Sequence, residues 1–183
     1  GIELIDVEII DGECLGKCKF CYKQNNSKKT NNYMSFDNFK KIFHKFPETI
    51  TQIAFGITNI YANPDFFKIM EYSKQNGVIP NYTMHGLDLD DYAAQKTVEL
   101  CGAVAVSIVN KEKSYNAIEK LTNLGMKQVN CHFMLSEETF DNALSTIKDI
   151  VTDPRLKKLN AIVFLQYKDK NPKAKFHSLL DIK

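Results

Sequence analysis

Residues 102–134 read Gly102-Ala-Val-Ala-Val-Ser-Ile-Val-Asn-Lys-Glu-Lys-Ser-Tyr-Asn-Ala-Ile-Glu-Lys-Leu-Thr-Asn-Leu-Gly-Met-Lys-Gln-Val-Asn-Cys-His-Phe-Met134. The run over 103–108 is almost continuously apolar, the pattern of a strand covered on both faces. Apolar residues then recur at helical spacing over 113–124, and Gly125 follows where a left-handed residue would end a helix. Over 128–134 the period returns to two. A strand, a helix and a second strand within about 30 residues make a βαβ unit, whose two strands run parallel.

The unit recurs on both sides of this stretch. Strand-like runs fall at 2–10, 52–56, 79–83, 103–108, 128–134 and 161–166. The intervening helices are expected at 64–76, 90–101, 113–124 and 136–151, with a first one over 36–46. Phe36, Phe39, Ile42, Phe43 and Phe46 give that first helix an apolar stripe, Ser35 a cap and Pro47 a stop. Gly77 and Gly102, like Gly125, stand where a left-handed residue is wanted. Asn63-Pro64 and Ser136 with Thr139 read as helix starts. Six strands and five helices predict an α/β fold, a partial (βα)6 TIM-type barrel of parallel strands with outer helices. A closed eight-unit barrel typically needs about 250 residues. A flat doubly wound sheet is the alternative. The chain reads as one domain over 1–183, incomplete at its C-terminus: 168–175 is a basic loop and 176–183 only a helix start.

The composition is that of an ordinary globular domain: 183 residues, 44% hydrophobic and 25% charged. A net charge of +2 offers no field to hold nucleic acid or an anionic membrane. No apolar run approaches the roughly 20 residues of a membrane span, and no secretory leader is visible. Five cysteines without framework spacing suit a reducing, cytoplasmic setting. Gly-x-Gly-x-x-Gly, P-loop, Gly-x-Ser-x-Gly and His-Glu-x-x-His patterns are all missing, which removes several common enzyme classes.

Three of the cysteines are crowded into Gly12-Glu-Cys-Leu-Gly-Lys-Cys-Lys-Phe-Cys-Tyr22. Cys14, Cys18 and Cys21 lie on the loop that leaves the first strand, at the strand end where parallel α/β folds bind ligands. Three thiols this close can hold one metal centre and leave a ligand position open. A structural zinc site would need a distant fourth ligand, with Cys101, Cys131 and His132 the candidates. A non-catalytic iron–sulfur or zinc-binding module, or an α/β enzyme with incidental cysteines, are the competing readings.

The Cys-x3-Cys-x-aromatic-Cys spacing of Cys14, Cys18, Phe20 and Cys21, placed after the first strand of a βα series, resembles the signature of the radical S-adenosylmethionine (SAM) superfamily. The resemblance implies a [4Fe–4S] cluster on the three thiolates, with SAM on the unligated iron. It implies reductive cleavage of SAM to a 5′-deoxyadenosyl radical that takes a hydrogen atom from a substrate. Such an enzyme needs an electron donor such as flavodoxin or ferredoxin. The substrate, peptide or small molecule, is not written in the motif.

The same resemblance assigns further positions. Phe20 would lie near the adenine and Tyr22 would shape the cluster pocket. Phe55-Gly56-Ile57-Thr58-Asn59 stands where many members carry Gly-Gly-Glu-Pro, so Gly56, Thr58 and Asn59 would supply the SAM contacts; only one glycine matches. Thr83-Met84-His85-Gly86 resembles a Thr-Asn-Gly turn, with His85 as a substrate candidate. Ser107 after the fourth strand and Gln166 at the end of the sixth fall where members contact SAM. Asn130 and His132 alternate with Cys131 and are expected to line the cavity while Cys131 joins the core.

Overall fold

The computed structural model describes residues 1–16 and 32–166. Six strands form one parallel sheet: β1 (Leu4–Glu8), β4 (Gln52–Gly56), β5 (Ile79–Met84), β6 (Ala103–Ser107), β7 (Val129–Leu135) and β8 (Ala161–Gln166). Their order across the sheet is their order along the chain. A doubly wound sheet reverses order at a switch point; this one never does, so the flat alternative is set aside. β1 and β8 remain unpaired edges among the described residues, which leaves a partial barrel. The expectations for residues 168–183 lie outside the described residues.

Strand register sorts every side chain to one of two faces. Ile53, Phe55, Tyr82, Met84, Val104, Val106, Val129 and Cys131 fall on the same face and are buried. The helices cover that face: α1 (Phe36–Phe43), α2 (Phe66–Gln75), α3 (Asp91–Leu100), α4 (Lys111–Asn123) and α5 (Phe140–Thr152). Phe39, Ile69, Ala94 and Ile118, one from each of the first four helices, join those strand residues in a single core. Burying a side chain the size of Phe39 contributes about 2–3 kcal/mol. Tyr72 of α2 meets Phe36, Phe39 and Phe43 edge to face, with centroids 5.4–6.4 Å apart, so the phenylalanine stripe is packing.

Among the described residues, the opposite face carries no helix of the main core. Across it run Asp6, Ala54, Asn81 and Ala103 in one register row, and Thr83, Ala105, Asn130 and Ala161 in the next. Ser107 sits beside His132, and His132 beside Val163. The floor is small (Ala54, Ala103, Ala105) and the groups standing on it are mostly uncharged and polar.

Several boundaries differ from the sequence reading, each for a local reason. The expected first strand splits: β1 ends at Glu8, and Ile10–Asp11 (β2) pairs antiparallel with Asn32–Tyr33 (β3). α5 begins four residues late because the Thr139 hydroxyl donates to Met134 O (2.7 Å) and accepts from Ser136 N–H (2.8 Å), making a turn of the first residues. α1 stops at Phe43, one turn short. Gly77 (φ 81°) and Gly125 (φ 97°) are left-handed as expected; Gly102 is not. α3 ends in an extended Cys101, and Gly102 is required by proximity, since a Cβ there would lie 2.6 Å from Ile79 Cγ2.

Candidate functional site

The site is built where three consecutive strand ends meet the start of the cysteine loop. After β1, Ile9 N–H donates to Gly56 O (3.0 Å) and Ile9 O accepts from Met34 N–H (3.0 Å). The β2–β3 ribbon then carries the chain out and back, closing both ends of the loop at one neck. Gly12, with φ 138°, turns the chain out of the ribbon in a conformation that side-chain-bearing residues rarely adopt. Asn63 staples the neck from below. Its side-chain amide donates to Ile9 O (2.8 Å) and Met34 O (2.9 Å), and its oxygen accepts from Asp65 N–H (2.9 Å). The sequence marks Asn63 only as a helix start; the Asn-x-Asp turn before a helix is the local signal that its side chain bonds back to Asp65.

Beyond the neck, Cys14 is half-buried, and its thiol donates to Thr58 O at 3.8 Å. Asn59 holds the peptide on both sides of this cysteine. Its Oδ1 accepts from Leu15 N–H (2.9 Å) and its Nδ2 donates to Glu13 O (3.2 Å). His85, at the end of β5, reaches the same Oδ1 through Nε2 (2.9 Å), while its Nδ1 accepts from Leu87 N–H (3.0 Å). The imidazole is buried, and burial pushes its pKa below the ordinary histidine value, with the Asp88 carboxylate opposing. Asp88 in turn ties back to the turn after β4 by accepting from Ile60 N–H (2.8 Å).

Cys18, Phe20, Cys21 and Tyr22 lie outside the described residues, and among the described residues no three metal-ligating side chains converge. The distant cysteines are removed from the site. Cys131 is buried on the helix-covered face, where desolvation raises its thiol pKa to about 12. Cys101 precedes the first residue of β6, at the other end of the sheet from Cys14, and its thiol lies 3.6 Å from Met70 Sδ with a pKa also raised to about 12 by burial. Both are core thiols, protonated at neutral pH.

Gly56 ends β4 on the open face beside Glu8. Thr58 follows it, buried at 4% exposure, with its hydroxyl unpartnered among the described residues. Buried hydroxyls are almost always partnered, so this one marks a place for a group beyond the described residues. Ser107, Asn130 and His132 stand on the open face, half-buried; Asn130 Oδ1 accepts from Asn160 Nδ2 (3.0 Å). Burial alone pushes the His132 pKa down, which keeps its ring neutral at neutral pH. Gln166 ends β8, exposed, in register with Leu135 and hence on the helix-side row. Asn110, the other polar residue after β6, is spent as the cap of α4, accepting from Lys113 N–H (3.0 Å).

No protein-family model and no curated protein matches the chain. Solved structures do. A structure described as native anSMEcpe with bound AdoMet and Cp18Cys peptide superposes with a TM-score of 0.76 at 14% identity, covering 97% of this chain and 55% of that one. SuiB of Streptococcus suis bound to its precursor peptide SuiA gives a TM-score of 0.72 at 11% identity, covering 91% of this chain and 40% of that one. The chain thus spans about half the length of these structures or less. Both are radical SAM enzymes, and the likeness shows that this chain has their α/β core fold.

Proposed function

We propose that this chain is the core domain of a radical SAM enzyme, with Cys14, Cys18 and Cys21 holding a [4Fe–4S] cluster. The observation that carries the reading is the position of Cys14. It lies at the C-terminal end of the sheet, against the turn after β4, at the mouth of an open partial barrel with the fold of structures that bind AdoMet. The donor set fits: three thiolates suit iron–sulfur ligation and leave one iron open, and the Thr58 hydroxyl, unpartnered among the described residues, offers a hydrogen bond beside it. When bound, the cluster and SAM supply reductive C–S cleavage and a 5′-deoxyadenosyl radical; the protein supplies placement and exclusion of water.

In this reading Gly56 and Thr58 flank the SAM amino acid end, Phe20 lies near the adenine and Tyr22 shapes the cluster pocket; Gln166, on the helix-side row, takes no part. Ser107, Asn130 and His132 offer uncharged hydrogen-bonding groups on the open face, His132 as a neutral imidazole. The substrate, a peptide or a small molecule, occupies the rest of that face. An electron donor of the flavodoxin or ferredoxin kind completes the reaction.

The test is anaerobic loading with iron and sulfide, then addition of SAM and a strong reductant. The expected result is a brown protein that yields 5′-deoxyadenosine, and complete loss of cleavage on replacing Cys14, Cys18 or Cys21 singly by Ala. A colourless protein that binds one zinc, or a brown one that never cleaves SAM, overturns the reading.

A further inference from the structure

We propose that Asn59 and His85 are positioning residues: together they form a bracket that fixes Cys14 before any metal arrives, in place of the direct cofactor and substrate contacts that the motif resemblance implies. Asn59 grips the peptide units on both sides of the cysteine, through Leu15 N–H and Glu13 O. Its Oδ1 has two lone pairs, and both are engaged, one by Leu15 and one by His85. One Nδ2 hydrogen is what remains of the side chain once Glu13 O is served.

His85 completes the bracket because its tautomer is fixed. Leu87 N–H points at Nδ1 (3.0 Å), so Nδ1 is the acceptor and the ring proton sits on Nε2, aimed at Asn59 Oδ1 (2.9 Å). The residue is anchored from behind as well: its carbonyl accepts from the Ser114 hydroxyl (3.2 Å), and the side chain is 7% exposed. Its ring also packs on Gly16, where a Cβ would lie 3.5 Å from His85 Cδ2 and 3.5 Å from Cys14 Sγ. The order of action is therefore His85 on Asn59, and Asn59 on the backbone of residues 13–15. The consequence for a cluster rests on the function proposed above; the bracket itself does not.

The first arm of the test needs no cofactor. In the metal-free protein, hydrogen exchange at the Leu15 amide is expected to be slow, and Asn59→Ala is expected to speed it about 10-fold or more, while Val104 in β6 keeps its protection. His85→Phe is expected to speed it less, and His85→Gln, which retains a donor, to restore part of the protection. Asn59→Leu keeps the volume and must reproduce the Asn59→Ala result, so poor folding of one variant does not decide the matter. In the second arm, iron release to a chelator from the reconstituted protein is expected to quicken about 10-fold in Asn59→Ala, the scale typical for residues that orient metal ligands. Adding His85→Phe to Asn59→Ala should quicken it no further, because His85 acts through Asn59. Unchanged Leu15 exchange in a folded Asn59 variant, or strictly additive effects in the double variant, would overturn the bracket. A wild-type chain that takes up no iron overturns the function proposed above, and leaves the exchange arm to judge the bracket alone.

Discussion

His132 shows how burial turns an ordinary side chain into a pH-dependent one. Its folded pKa is depressed by desolvation. Below the ordinary histidine value of about 6.5, the unfolded chain binds a proton at this position that the folded chain does not. Stability therefore falls as pH drops through that value toward the depressed one, and is unaffected by this group above it. Urea midpoints measured from pH 7.5 down to 5 should decline, and His132→Asn should flatten part of the decline. At this scale the sequence was legible wherever strand alternation decides: Cys131 in the core, Asn130 and His132 on the other face. It was silent on the long-range bonds of Asn63 and Asp88, whose partners Ile9, Met34 and Ile60 lie at least 28 positions away. No local pattern specifies such a contact.

At the scale of elements, two glycines that look alike in sequence do different work. Gly125 follows α4 with φ 97° and open space around it, so Gly125→Ala meets only backbone strain and should cost about 1 kcal/mol. Gly102 follows α3 but is limited by Ile79, whose branched Cγ2 cannot swing far aside. Gly102→Ala should cost about 1–3 kcal/mol as overpacking. Adding Ile79→Ala should recover much of that loss and leave the Gly125→Ala penalty unchanged. Thermal or urea unfolding of the four variants separates the two causes. Helix existence and order were readable from apolar spacing. Helix ends were less so, because at Thr139 and Asn110 a side chain chose between a turn and a cap through bonds of three to five residues' reach.

Across the whole molecule, stability should be uneven. The main core draws on β1, β4 to β7 and the first four helices, whereas Phe133, Leu135 and Ala143 form a smaller cluster with Phe140 and Phe164. Among the described residues, β8 is an edge strand with Val163 and Leu165 exposed. Amide exchange should therefore be fastest, among the regular elements, in α5 and β8 and slowest in β4 to β6. Phe133→Ala should cost about 3–5 kcal/mol if this cluster unfolds with the rest; if it opens alone, exchange in α5 and β8 will rise while β5 stays protected.

The sheet's pairing order sets a folding problem at one seam. Most neighbouring strands join residues that are near in sequence: Asn81 beside Ala103, Val104 beside Val129. β1 and β4 instead bring Leu4 beside Gln52, about twice the separation, with the cysteine stretch inside the loop. Each doubling of a flexible loop adds about 0.6 kcal/mol to its closure entropy. During synthesis, the later strands can zip onto one another unit by unit, while the first must wait for its partner. Any clip that shortened this loop, whether the Ile10–Asp11 ribbon or a metal held by the cysteines, would speed the one step that lags, so the end of the barrel that carries Cys14 and its slowest seam are the same piece of chain.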